Sequence, residues 1–72
     1  MDLETTAFHT ELWRLPRVKS TTGLGTSRLY EMVAQGLFPK PVKLGPRASA
    51  WVSTEVLYWV AERIAERDGE QS

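Results

Sequence analysis

The clearest amphipathic pattern in the chain lies in Thr26 to Gln35, TSRLYEMVAQ, where Leu29, Met32 and Val33 recur at i, i+3 and i+4. That spacing gives one inward stripe on a helix and leaves Ser27, Arg28 and Glu31 on the wet side. Gly25 or Thr26 starts this helix and Gly36 stops it. A second helical stripe, Val56, Trp59, Val60 and Ile64, is widened by Leu57 and Ala61. Ser53 is a preferred cap for it, and Glu55 puts negative charge in its first turn. The Glu62/Arg63 and Glu66/Arg67 rows offer ion-pair support on its outer surface. Upstream, Pro16 and Gly23 bracket a short helix over about 16–22, proline suiting the first turn and glycine the position past the end. Its inward residues are Leu15 and Val18, and Gly23-Leu24-Gly25 supplies a turn in which Leu24 plugs the gap between two helices.

The period changes after Gly36. Pro39 and Pro41 force an extended path, with Phe38 as a core anchor. Val42 and Leu44 then alternate with Lys43, as in a half-buried strand. Ser49 to Val52 is its partner and Gly45 to Ala48 the tip between them. A lone hairpin is marginal, so Trp51 must lean on the helices; Trp13 is assigned to the core as well. The pattern predicts a mainly α chain with a small β-hairpin, in the order helix-turn-helix and then wing. One domain spans 12–68. Residues 1–11 form a flexible lead-in from which Phe8 or Leu12 docks on the core, and 69–72 form a frayed tail.

Composition narrows what such a domain does. At 72 residues the core is small, and without Cys neither a disulfide nor a thiolate metal site supplements it. His9, the one histidine, has no second ligand at metal spacing. No nucleophile–base pair, phosphate loop or metal cluster is present, which argues against an enzyme and against a cofactor. No apolar run approaches the roughly 20 residues of a membrane span, and a cytoplasmic location is expected.

A net charge of zero conceals segregation. Residues 14–47 hold seven basic residues and one acidic, a net +6, whereas 1–13 and 48–72 are each −3. A cationic middle concentrates polyanions and releases their counterions; it reads also as a solvated surface paired with acidic flanks. In a helix-turn-helix, the N-terminal end of the second helix meets base edges. Thr26, Ser27 and Arg28 are therefore candidates for reading double-stranded DNA, beside Tyr30 and Glu31. The plainer alternative is an ordinary polar first turn. Arg47 at the wing tip, with Lys40 and Lys43 behind it and Arg17 and Lys19 on the first helix, is placed on phosphates or an adjoining groove; the plainer alternative for Arg47 is an exposed loop cation. The last helix, with Glu55, Tyr58, Trp59 and Glu62, offers a surface for a protein partner.

Arg14-Leu15-Pro16-Arg17-Val18, Thr22-Gly23-Leu24, Leu29-Tyr30, the run from Gly36 to Gly45, Arg47, Trp51, Ser53-x-Glu55-Val56 and Trp59-Val60 together resemble the AlpA family of phage and prophage regulators. The resemblance covers about residues 12–68. It implies a winged helix-turn-helix of the MerR and excisionase type, acting in the bacterial cytoplasm at the nucleoid. The implied role is transcription regulator or recombination directionality factor, with an integrase or RNA polymerase as candidate partners. Gly25 stands where such sequences often carry Ser, and Pro46 where the wing tip is commonly Gly. MerR relatives dimerise through a long C-terminal coiled coil that this chain does not carry after Ile64, so a monomer that binds repeated sites side by side is expected.

Overall fold

The computed structural model describes residues 10–70; the expectations for Phe8, His9, Gln71 and Ser72 fall outside them. The order is β1 (Leu12–Trp13), α1 (Leu15–Thr22), α2 (Thr26–Ala34), β2 (Val42–Gly45), β3 (Ala48–Val52) and α3 (Ser53–Glu70). β3 is the central strand of an antiparallel sheet ordered β1-β3-β2. Trp13 stands opposite Trp51 and Lys43 opposite Ser49, with a bulge between Lys43 and Gly45.

Local chemistry explains the helix ends. Pro16 lies in the first turn of α1, and Gly23 closes it at φ 78°, its N–H donating to the Lys19 carbonyl. This is a left-handed cap, costless only for glycine. The Thr22 hydroxyl donates to the Val18 carbonyl and accepts the Leu24 N–H, tightening the turn. Gly36, at φ 77°, ends α2 through paired bonds: its own N–H to Val33 O at 3.1 Å and Leu37 N–H to Met32 O at 2.8 Å. That pairing is a Schellman motif.

The core is Trp13, Val18, Leu29, Phe38, Trp51 and Val56, with Leu15, Leu24, Met32, Val33 and Trp59 packed against it. Indole N–H groups finish the connector between α2 and β2: Trp51 donates to Pro39 O at 3.0 Å and Trp59 to Leu37 O at 2.9 Å. Phe38 meets Trp59 edge to face, centroids 5.0 Å apart. A buried indole needs an acceptor, and an extended proline segment offers unpaired carbonyls.

Several expectations change. The sheet has a third strand, β1, too short to show a pattern in the sequence. Glu11, which closes the expected lead-in, is bonded into the fold: its N–H donates to Ser53 Oγ and its carbonyl accepts the Ser53 N–H, both at 2.8 Å. Ser53, buried at 2% exposure, therefore uses its hydroxyl to bind the strand β1 edge instead of capping α3. β2 is not half-buried, since Val42 and Leu44 are 40% and 48% exposed; no layer formed by the described residues covers that end of the sheet. On α3, Leu57 and Ile64 are exposed rather than in the core: Leu57 follows buried Val56 and, one residue on, does not share its face, whereas Ile64 lies beyond Trp59, where the helix leaves the small body it packs on. It continues through Gly69 to Glu70. Its ion pairs join Arg63 to Glu66 and Arg67 to the adjacent Asp68, each at 2.7 Å. The hydrogen bond from Arg63 to Glu66 raises the guanidinium pKa above its ordinary value.

Candidate nucleic-acid interface

Burial of Leu29 fixes the rotation of α2, so Thr26, Ser27, Arg28, Tyr30 and Glu31 are all exposed. Arg28 does not stand free: its guanidinium donates to Glu31 Oε1 at 2.9 Å across one helical turn. Tyr30 belongs to a different edge, because residues two apart on a helix do not share a face. Its ring leans on Trp51, with centroids 5.9 Å apart and planes tilted by 58°.

That contact brings α2 to the wing. A cleft of about 240 Å³ is lined by Arg14, Pro16, Tyr30, Arg47, Ser49 and Trp51, among others. It draws together the start of α1, the middle of α2 and the wing tip. Two arginines, a tyrosine and a serine line it beside Trp51. Such a set of donors suits an anion of phosphate size. Lys43 pairs with Ser49 across the sheet and so points to the same side.

The other expected site residues are dispersed. Arg17 lies 4.4 Å over the Trp13 ring and 3.9 Å from Glu11, which ties it to the fold while leaving it exposed. Lys19 is half-buried in the last turn of α1, where a cation complements the helix carbonyls. Lys40 lines a separate groove against α3, with Glu55, Tyr58, Trp59 and Glu62. Arg28 and Arg47 do not line one cleft; Tyr30 and Arg47 do. Arg14 is absent from the sequence-based set, and nothing local to it marks it. Its relevance comes from residues 16 to 37 positions further on. Among the described residues no group of His, Cys, Asp and Glu is placed to hold a metal ion, and no helix is long and apolar enough to cross a membrane.

A family model described as "Prophage CP4-57 regulatory protein (AlpA)" matches residues 11–64, a span that contains the whole cleft. A protein of Enterobacteria phage P4, described as "Uncharacterized protein ORF88", is 44% identical over 54 residues. The alignment covers 75% of this chain and 61% of that relative, so the chain spans less than two thirds of the relative's length. No solved structure matches the chain.

Proposed function

The chain belongs to the AlpA family of phage and prophage regulatory proteins, and from that premise we propose that it is a sequence-specific double-stranded DNA-binding transcriptional regulator of a phage, prophage or integrative element. In this reading residues 12–68 are the DNA-binding domain. The exposed side of α2 enters a major groove, where Arg28 takes guanine and Thr26 and Ser27 bond bases or phosphates. Glu31 restrains Arg28 until DNA arrives. The wing, residues 45–48, lies on flanking DNA, and Lys43, Arg17, Lys19 and Lys40 attract the backbone.

The observation that carries the reading is the convergence of Arg14, Tyr30, Arg47 and Ser49 in one cleft beside the exposed start of α2. A phosphate held there sets the register in which α2 meets the bases. The test is fluorescence anisotropy against the DNA next to the protein's own gene. Combined Arg14→Ala and Arg47→Ala weakens binding to every sequence and reduces the salt slope by about 1 to 2, since each lost phosphate contact removes roughly 0.9. Arg28→Ala lowers discrimination between sites by about 1–3 kcal/mol. Binding without salt dependence, unchanged in all these variants, refutes the proposal. A directionality factor for recombination would use the same face; excision with the neighbouring integrase, against transcription from the neighbouring promoter, separates the two roles.

A further inference from the structure

Beyond any contact with DNA, we propose that the open groove between residues 36–40 and α3 receives the edge strand β2 of a second copy of this chain. The groove measures about 670 Å³. Its floor is the edge-to-face pair Phe38 and Trp59, and its sides carry Tyr58 and Leu37, 67% and 54% exposed. The Trp59 N–H is already committed to Leu37 O, so the floor offers ring surface and no donor. Glu55 and Glu62 stand at the rim against Lys40 alone. An occupant therefore needs apolar side chains with cations beside them.

The chain carries such a strip. β2 lies at the edge of the sheet, so a neighbouring molecule can reach its outer side. Its Val42 and Leu44 alternate with Lys43 in the manner of a half-buried strand, yet within one copy they stay 40% and 48% exposed. Lys40 precedes Val42 by two positions, and no acidic residue occurs between positions 32 and 54. Val42 points away from the side shared by Lys43 and Ser49, because neighbours alternate along a strand. It is thus available to protein while Lys43 serves DNA. The chain's own residues 1–9 make a poor occupant: Asp2 and Glu4 bring like charge to the rim and no lysine or arginine accompanies them.

Groove and strand are unlike patches, so the contact is heterologous and runs head to tail. A contact of one four-residue strand with one groove is weak. It leaves single copies in dilute solution and acts when copies crowd on adjacent sites.

Sedimentation equilibrium without DNA tests this. The wild-type mass rises above the 8.2 kDa of one chain as concentration increases from about 10 µM to about 1 mM, by mass action. Tyr58→Lys alters an exposed groove side chain and Leu44→Glu an exposed strand side chain, so both variants keep the wild-type circular dichroism. Each alone stays at one chain mass. Their equimolar mixture reaches the mass of two chains and stops, because it retains one intact groove and one intact strand per pair. A wild-type mass that never exceeds one chain overturns the proposal. So does a mixture that fails to associate, or isotope-filtered NMR showing Tyr58 and Trp59 against residues 1–9 of their own copy.

Discussion

Glu31 holds the guanidinium that the proposed reading helix would use, and replacing it by Gln measures that restraint. Gln is nearly the same size and has nearly the same helix propensity as Glu, so α2 persists. The two side chains are 56% and 54% exposed, and an exposed pair one turn apart contributes about 0.3–0.5 kcal/mol. Stability therefore falls by no more than about 0.5 kcal/mol, or roughly 2–4 °C in Tm for a domain of this size. DNA binding moves the other way. Freeing Arg28 returns the same few tenths of a kcal/mol. Removing a carboxylate about 8 Å from a phosphate adds roughly 0.5 kcal/mol at the dielectric constant of water, less after screening in 0.1 M salt. Together they give about 0.5–1 kcal/mol, a gain of about two- to fivefold in affinity. Fluorescence anisotropy at 25 °C on specific and scrambled duplexes reads the change. A loss of about tenfold or more on the specific duplex alone would refute the reasoning, for it would mean that Glu31 itself accepts from a cytosine amino group.

Further outcomes are expected from the fold. Ser53→Ala removes the acceptor of the Glu11 N–H at a site 2% exposed; it destabilises by about 1–2 kcal/mol, measured by urea unfolding. Gly36→Ala places a Cβ with nothing within 4 Å, so its cost is conformational alone. The left-handed geometry costs about 1–2 kcal/mol, partly offset by a less flexible unfolded chain, and Tm falls by several degrees. Tyr30→Phe keeps the ring contact with Trp51 and removes the cleft hydroxyl. Stability stays within about 0.5 kcal/mol, while affinity for duplex DNA drops about ten- to a hundredfold, as for one hydrogen bond to a charged acceptor.

Much of the fold was legible because glycine and proline punctuate it. Gly23 and Gly36 end their helices in the left-handed conformation, and the Pro39-Lys40-Pro41 run forces the extended connector that leads into the wing. Phe38, Trp13 and Trp51 could be assigned to the core because a chain of 72 residues has few large apolar side chains to spare. β1 was not legible: two residues have no period, and its pairing depends on Val52 and Trp51, some 40 positions away. Val42, Leu44, Leu57 and Ile64 follow the pattern of buried positions without being buried, because periodicity specifies which residues share a face and not whether anything packs on it. The candidate site divides in the same way. Thr26, Ser27 and Arg28 follow from position on a helix, whereas the cleft joins Arg14, Tyr30 and Arg47 through tertiary packing that charge counting does not see.

The two indole bonds that clamp Leu37 and Pro39 have a mechanical meaning. They seize the link between α2 and the wing from two different elements, so in the proposed DNA-binding role the protein is a caliper with a locked hinge. Its jaws keep a set opening. A duplex whose groove spacing differs from that opening must itself bend or narrow to be gripped, and sequences that deform cheaply at that step gain an advantage no side chain has to read.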